Sequence, residues 1–297
     1  MGVRLIAIDI DGTLLDSRYE VPEANRKAIV ETVERGIEVA LVTGRRFDFA
    51  LPIAQQIPCE LTMVVNNGAV IKSKAGATLH RHLLPRTVAR RVLEATPQFR
   101  DGAAVVFDRP SENQIVYEQI EWEDPRRKSY FHRNREYISQ CAPLEESLTE
   151  DPIQVMYSGP VSRMRSVEAV LRRLDGRGEY ALAVTEYEQR DFGLVDVLHP
   201  GCSKGAALRE LAGMRGYAQE DVMAIGDNLN DTEMLEFAGV PVVMANSVAG
   251  LKGMGWHETG SNDEAGVATA IEEYALGESK RKSEIGSRRN EGGEGPQ

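Results

Sequence analysis

The feature that most constrains the fold is an alternation of short apolar segments with amphipathic ones, present at both ends of the chain. Residues 4–10, 37–42 and 61–65 are apolar runs of strand length, and helical patterns fill the intervals between them. Strands that alternate with helices form a parallel sheet through right-handed crossovers. The same alternation resumes after residues 199–201. We therefore expect one α/β, Rossmann-like parallel-sheet core, built from two separated parts of the chain.

The middle of the chain follows a different pattern. Residues from about 85 to 197 combine strands and helices in irregular order, with a charged loop around residues 124–135. This segment is too regular for a loop, so we expect an inserted α+β domain. The predicted domains are a core of residues 1–82 and 198–276, an insertion of residues 83–197, and a disordered tail of residues 277–297. The tail is rich in Gly, Lys, Arg, Glu and Ser and almost lacks apolar residues.

Charge and cysteine content limit the partners that the chain can have. The 297 residues carry a net charge of −11, and a nucleic-acid partner would require a basic face. No apolar run approaches the roughly 20 residues of a membrane span, and the N-terminus does not resemble a signal peptide. The three cysteines, Cys59, Cys141 and Cys202, are widely spaced, which argues against a disulfide framework or a zinc ribbon. We expect a cytoplasmic protein that is a monomer or a homodimer.

Polar residues stand where several of the predicted strands end. Asp9, Thr43, Asn66 and Asp227 all follow this pattern, and ligands of parallel sheets bind at the carboxyl ends of strands. Asp9 and Asp11 are two residues apart, so an extended chain would direct both carboxylates to one side. Two crowded negative charges require a cation or a proton.

Four short stretches carry such residues in a fixed order. They are Asp9-Ile10-Asp11-Gly12-Thr13, Thr43-Gly44-Arg45, Lys204-Gly205 and Gly226-Asp227-Asn228-Leu229-Asn230-Asp231. Each stretch alone also fits a plain structural role, such as a turn or a solvated lysine, and only the set is specific. The set and its order resemble the haloacid dehalogenase superfamily. The large insertion between the second and third stretches is similar to the Cof-type subgroup, in which a mobile cap of the C2 type is inserted at that place. Further similarity lies in Asn67-Gly68-Ala69 and Met244-Ala245-Asn246.

The resemblance implies a phosphatase that hydrolyses small phosphorylated metabolites through an aspartyl-phosphate. Asp9 would be the nucleophile, and its attack on phosphorus would divide the hydrolysis into two steps. Asp11 would protonate the leaving alkoxide and then take a proton from water. Thr43 would donate its hydroxyl to a phosphate oxygen. Lys204 would bring a positive charge to the phosphoryl group and to Asp9.

The resemblance also implies a Mg²⁺ site. A carboxylate cannot approach a phosphate dianion unaided, and Mg²⁺, which prefers oxygen ligands, offsets the repulsion. The implied ligands are the Asp9 carboxylate, the Asp11 backbone carbonyl and the Asp227 carboxylate, with Asp231 as an outer or alternate ligand.

Three more residues are predicted to contact the substrate. Gly44 would bring a backbone amide to the phosphate at a helix N-terminus, and Asn230 would donate a further hydrogen bond. Arg45 could reach the substrate or could pair with an acidic residue. The insertion would choose the substrate, from sugar phosphates to phosphorylated cofactors, through two groups of residues. These groups are Tyr187, Arg190, Asp191 and Phe192, and Arg126, Arg127, Lys128 and Tyr130.

Two other functions are compatible with the same residues. A phosphomutase of the phosphomannomutase type would return the phosphoryl group from Asp9 to a sugar rather than to water. A non-catalytic protein would keep the fold and bind a phosphorylated metabolite.

Overall fold

The structure is a computed structural model that describes residues 2–110, 112–187 and 190–277. It divides into two compact units, a core unit of Met1–Leu79 and Lys204–Gln297 and an inserted unit of His80–Ser203. The boundaries at residues 82/83 and 197/198, and the role of the inserted unit as a cap, stay predictions. The predicted disordered tail lies, beyond Gly277, outside the described residues.

The first part of the core unit follows the predicted alternation. Its elements are β1 (Leu5–Asp9), α1 (Glu23–Glu34), β2 (Glu38–Val42), α2 (Phe47–Ala54), β3 (Thr62–Val65), β4 (Val70–Ser73) and β5 (Thr78–Arg81). Helix α1 ends just before Gly36, whose φ of +81° is left-handed and suits glycine.

The inserted unit contains six strands and three helices among the described residues. They are α3 (Arg86–Ala95), β6 (Ala103–Val106), β7 (Ile115–Tyr117), α4 (Lys128–Arg133), β8 (Ile138–Gln140), β9 (Gln154–Gly159), α5 (Val161–Leu174), β10 (Ala181–Tyr187) and β11 (Phe192–Leu198). The strands form one sheet in the order β10-β11-β9-β6-β7-β8, antiparallel except for the β7–β8 pair.

The second part of the core unit restores the alternation. Its elements are α6 (Lys204–Arg215), β12 (Val222–Gly226), α7 (Thr232–Phe237), β13 (Val240–Met244), β14 (His257–Thr259) and α8 (Gly266–Ala270). Both parts contribute to one sheet of order β14-β13-β12-β1-β2-β3-β4-β5. The six strands from β14 to β3 are mutually parallel, and β4 runs antiparallel to β3. The predicted α/β fold class is therefore confirmed.

Burial explains why β1 lies at the centre of this sheet. All five of its residues are buried, as expected for a parallel strand covered on both faces. Apolar residues of β1, β2, β12 and α6 share one hydrophobic cluster, to which Leu5, Ala40, Leu208 and Ala224 belong. Because β1 pairs with β2 on one side and β12 on the other, the two separated parts of the chain meet along it.

Two details differ from the sequence predictions. The charged loop expected around residues 124–135 contains helix α4, because Phe131 is fully buried and anchors this segment despite its charged neighbours. A single helix was expected over residues 262–275, whereas regular α-helix there is limited to α8 and a wider helical turn, Ile271–Leu276, follows it. Within the described ranges, no helix is both long enough and apolar enough to span a bilayer.

Candidate active site

The ends of three adjacent strands place the first polar side chains. Asp9 is the last residue of β1, Thr43 directly follows β2, and Asp227 directly follows β12. Asp9 lies opposite Val42 in the parallel register, so these ends are level with one another. Parallel neighbours lie about 4.8 Å apart, which brings residues from distant parts of the sequence within reach of one ligand.

Lys204 joins two of the carboxylates. Its Nζ donates to Oδ1 of Asp9 at 2.6 Å and to Oδ1 of Asp231 at 2.7 Å. The lysine is 2% exposed and Asp231 is 0% exposed, so this contact is almost dry. Burial by itself would lower the pKa of Lys204, but the charges of Asp231 and Asp9 outweigh it and raise the pKa. The ammonium therefore stays charged.

Asp231 is fully engaged by the protein. Its Oδ2 accepts the backbone N–H groups of Asp227 and Asn228, each at 3.0 Å, while Oδ1 accepts from Lys204. A Cβ on Gly226 would lie 2.7 Å from the Cβ of Asp231, so only glycine allows this close approach. Asp231 thus holds the loop after β12 in place and orients Lys204.

Asp227 is held by the turn that follows β1. The Thr13 hydroxyl donates to Oδ1 of Asp227 at 2.7 Å. Gly12 has a φ of +85°, and a Cβ there would lie 2.4 Å from Oδ2 of Asp227. Burial, together with the charge of Asp231, raises the pKa of Asp227 to about 7.

The pKa of the Asp9 carboxyl group is raised as well. Burial raises its pKa well above the ordinary value, Lys204 partly offsets this, and the charges of Asp231, Asp227 and Asp11 raise the pKa further. Among the described residues, Lys204 is the only hydrogen-bond donor to the Asp9 carboxylate, so Oδ2 of Asp9 accepts none. Oδ2 of Asp227 likewise accepts none from the described chain.

These three carboxylates form a candidate metal site. One oxygen from each of Asp9, Asp227 and Asp231 lies within 4.8 Å of the others. With one ammonium among three carboxylates, the fully ionised group carries a net charge of −2, which adds to burial in raising the pKa values of Asp9 and Asp227. Unengaged carboxylate oxygens in an excess of negative charge fit a hard divalent cation.

The loop after β2 presents a different arrangement. The Thr43 hydroxyl oxygen accepts the backbone N–H of Arg45 at 3.1 Å, which leaves the hydroxyl proton available to another acceptor. Gly44 lies against the Asn67 side chain, where a Cβ would be 2.9 Å from Oδ1. Helix α2 begins at Phe47, so Gly44 lies in the loop before the helix rather than at its first turn.

Arg45 faces Asp11 instead of standing alone. Its Nε donates to Oδ2 of Asp11 at 2.7 Å, and one terminal nitrogen donates to Oδ1 at 2.5 Å. Of the two possibilities left open by the sequence, the structure places Arg45 in an ion pair with an acid of the core. Asn230 is half-buried, and its side chain makes no hydrogen bond to the described part of the chain.

Asn246 is a residue whose role the sequence did not suggest. Its side-chain N–H donates to the carbonyl oxygen of Gly12 at 2.8 Å, and its Oδ1 accepts the backbone N–H of Asn262 at 3.0 Å. Asn262 in turn donates to the carbonyl oxygen of Leu15 at 2.9 Å. The two asparagines therefore brace the turn after β1. The only available signal was the resemblance of the Met244-Ala245-Asn246 segment.

The match to known proteins agrees with this geometry. The sequence pattern of the haloacid dehalogenase-like hydrolases matches residues 6–271. The chain is 30% identical over 251 residues to the HMP-PP phosphatase of Serratia proteamaculans, covering 84% of this chain and 87% of that protein. It is 26% identical over 276 residues to the 5-amino-6-(5-phospho-D-ribitylamino)uracil phosphatase YitU of Bacillus subtilis, covering 91% and 97%.

A solved structure gives the same result for the fold. A haloacid dehalogenase-like hydrolase from B. subtilis superposes with a TM-score of 0.77 at 25% identity, covering 91% of this chain and 99% of that one. The resemblance drawn from the four stretches is thereby confirmed. The chain belongs to the haloacid dehalogenase-like hydrolases, as a hydrolase of phosphoric monoesters.

Proposed function

We propose that the protein is a Mg²⁺-dependent phosphatase that transfers the phosphoryl group of a small metabolite to Asp9 and then to water. The observation that carries this proposal is the state of Asp9. Lys204 holds Oδ1, while Oδ2 accepts no hydrogen bond from the described residues and can act as the nucleophile. Buried, fixed and flanked by a permanent cation, Asp9 has the surroundings that covalent catalysis by a carboxylate requires.

The charge of the carboxylates supports a divalent metal as cofactor. Asp227 offers an unengaged Oδ2, and we propose it as a ligand together with the backbone carbonyl of Asp11 and the Asp9 oxygen that does not attack phosphorus. We propose that Asp231 lies outside the set of direct metal ligands, because both of its carboxylate oxygens already accept hydrogen bonds. When bound, Mg²⁺ would neutralise charge between Asp9 and the phosphoryl group and orient the latter.

The remaining residues have separate roles in this proposal. In the first step Asp9 forms a bond to phosphorus, the bond from phosphorus to the ester oxygen breaks, and that oxygen takes a proton from Asp11. In the second step water attacks phosphorus and gives a proton to Asp11, the bond from phosphorus to Asp9 breaks, and inorganic phosphate leaves the restored Asp9 carboxylate. The Thr43 hydroxyl, whose oxygen already accepts from the Arg45 amide, donates to a phosphoryl oxygen. Lys204 stabilises the charge that develops on the transferred group.

We propose that the insertion, predicted as residues 83–197, is a cap domain that selects the substrate. Its two predicted groups of contact residues are linked within the unit, since a terminal nitrogen of Arg126 lies 3.6 Å from Oδ2 of Asp191. Tyr187 and Phe192 stack with ring centroids 6.4 Å apart where β10 meets β11. The relatives described above act on different compounds, so we propose a small phosphorylated metabolite as the substrate class, with Gly44 and Asn230 as further phosphate contacts.

We also propose a cytoplasmic location, because Cys59, Cys141 and Cys202 are all free thiols in the structure and free thiols persist in a reducing compartment.

One experiment tests the mechanism directly. Purified protein is assayed with 4-nitrophenyl phosphate and a metabolite panel, with Mg²⁺ or with EDTA, beside the variants Asp9→Asn and Asp221→Asn. Asp221 is a matched control because it is also a buried aspartate, 7% exposed, but lies away from the site. It precedes β12, whereas the site residue Asp227 follows that strand. Turnover is expected to require Mg²⁺, to disappear in Asp9→Asn and to persist in Asp221→Asn.

Further outcomes separate the alternatives. Acid quenching during turnover should trap one phosphoryl group per active site in the wild type and none in Asp9→Asn. Equal turnover by Asp9→Asn would remove the proposed nucleophile. Retention of phosphate on a hexose, without release of free phosphate, would identify a phosphomutase instead.

A further inference from the structure

The ion pair between Arg45 and Asp11 is bidentate, and a role of Arg45 in binding substrate would not explain this geometry. Two nitrogens of one guanidinium meet two oxygens of one carboxylate at 2.7 and 2.5 Å. This bidentate geometry fixes the direction of the carboxylate as well as its distance, because both partners are planar. The side chains are 16% and 29% exposed, so the pair is only partly screened by water.

Arg45 is itself held on every side. Its backbone N–H donates to the Thr43 hydroxyl at 3.1 Å, and its carbonyl oxygen accepts the N–H of Asn66 at 2.9 Å. The guanidinium lies over the Phe49 ring, 4.7 Å from its centroid, which limits the rotation of the side chain. An arginine anchored in this way is a rigid support rather than a mobile arm.

Asp11 needs such a support more than Asp9 does. Asp9 is buried and held by Lys204, whereas Asp11 follows β1 in a turn and is much more exposed. Arg45 is the only side chain in the described ranges that donates a hydrogen bond to Asp11. A carboxyl group that must pass a proton to one particular oxygen loses most of its effect when it rotates freely.

We propose that Arg45 is a positioning residue that aims Asp11 at the oxygen of the leaving group. This inference rests on the proposed function and adds a role that neither partner has alone. One hydrogen bond of the pair persists during the reaction, while the other oxygen of Asp11 carries the proton that the leaving oxygen takes as its bond to phosphorus breaks. Arg45 therefore acts on the departure of the leaving group and leaves the binding of the phosphoryl group to Thr43 and Lys204.

The test uses aryl phosphates whose leaving groups differ in basicity. The value of kcat/KM is measured for phenyl, 4-nitrophenyl and 2,4-dinitrophenyl phosphate with the wild type, Arg45→Gln, Arg45→Lys and Asp11→Asn. Dinitrophenolate departs without a proton, whereas phenolate benefits from one. Arg45→Gln is expected to lose about tenfold or more on phenyl phosphate beyond its loss on the dinitrophenyl ester. For Arg45→Gln, the slope of log kcat/KM against the pKa of the leaving group should be steeper than for the wild type. The slope for Asp11→Asn should change in the same direction.

Arg45→Lys and Arg215→Gln provide the controls. A lysine can hold one oxygen of Asp11 but cannot fix its plane, so Arg45→Lys should recover part of the loss on phenyl phosphate. Arg215 makes a comparable pair with Glu38 at 2.8 and 3.1 Å, at the opposite edge of the same sheet. Arg215→Gln should leave the slope unchanged.

The outcomes separate this proposal from the proposed function. A wild type that hydrolyses none of the three esters would contradict the phosphatase mechanism itself. A wild type that hydrolyses all three, with an Arg45→Gln variant that loses the same factor on each, would refute the positioning role and would indicate a phosphate contact or a purely structural one.

Discussion

A methyl group at Gly12 should separate the geometry of the site from the stability of the fold. The φ of +85° at Gly12 is left-handed, and an alanine there would cost about 1–2 kcal/mol. Its Cβ would also lie 2.4 Å from Oδ2 of Asp227, about 1 Å short of ordinary contact. Asp227 or the turn after β1 must therefore shift by roughly that distance, and a displacement of about 1 Å near reacting groups can cost about a hundredfold in rate.

Gly36 offers a matched control for this substitution. Its φ of +81° is nearly the same, but a Cβ at Gly36 would meet nothing within 4 Å. We expect Gly36→Ala to lose about 1–2 kcal/mol in the free energy of unfolding and to keep its kcat and its Mg²⁺ requirement. Gly12→Ala should lose at least as much stability and, in addition, about a hundredfold in kcat, with a higher Mg²⁺ concentration at half-maximal rate.

The assay has two parts. Urea unfolding in EDTA gives the stability of both variants and the wild type, and a Mg²⁺ titration of turnover gives kcat and the apparent metal constant. If Gly12→Ala matches Gly36→Ala in both kinetic quantities, the close approach of Gly12 to Asp227 has no functional consequence and the reasoning fails.

Three further predictions concern charge and hydrogen bonding in the site. Burial raises the pKa of Asp227 to about 7, so the folded state holds a proton that the unfolded state releases above about pH 4. In EDTA, the free energy of unfolding should therefore fall as pH rises from about 4 to 7, and this part of the fall should be absent in Asp227→Asn when urea unfolding is measured across that range. Lys204→Met removes the ammonium beside Asp9; we expect kcat to fall at least about a hundredfold, and urea unfolding to show a stability loss that grows from pH 5 to pH 8. Asn246→Ala removes the bond to the Gly12 carbonyl, and we expect about 1 kcal/mol less stability with a several-fold lower kcat, measured by the same two assays.

The sequence predicted which polar residues lie at the carboxyl ends of the parallel strands. Apolar runs mark the ends of β1, β2 and β12, and parallel pairing follows from the alternation with helices. Asp9, Thr43 and Asp227 could therefore be assigned to one sheet edge before any contact was known. That assignment needs only the period of the apolar residues and the handedness of the crossovers.

Side-chain partners lay beyond the reach of the same reasoning. Thr13 donates to Asp227 across 214 positions of sequence, and Arg45 reaches Asp11 across 34. Such pairs depend on rotamers and on small shifts between strands, neither of which leaves a periodic trace in the sequence. Helix α4 and the three-residue strand β14 were missed for a related reason, because short elements are stabilised by tertiary packing rather than by local preference.

The sheet has one edge where the parallel strands begin, near Glu38, and one where they end, near Asp9. The residues near Glu38 follow the usual preferences for charge and space, whereas those near Asp9 violate them, and this difference supports the Asp9 edge as the functional one. At the edge near Glu38, the positive charge of Arg215 lies at the C-terminal end of α6, where the helix dipole stabilises a cation, and it pairs with the Glu38 carboxylate. A Cβ at Gly36 would meet nothing within 4 Å. At the edge near Asp9 the same helix begins with a buried lysine, a cation at the end where the dipole is positive. Three carboxylates crowd around it although burial penalises each charge. Folding alone would remove such conflicts, and apolar residues of similar size would fill this space at lower cost. Their concentration at one edge therefore supports the proposed cation and phosphoryl site there, and it would do so even for a chain whose motifs had no known relatives.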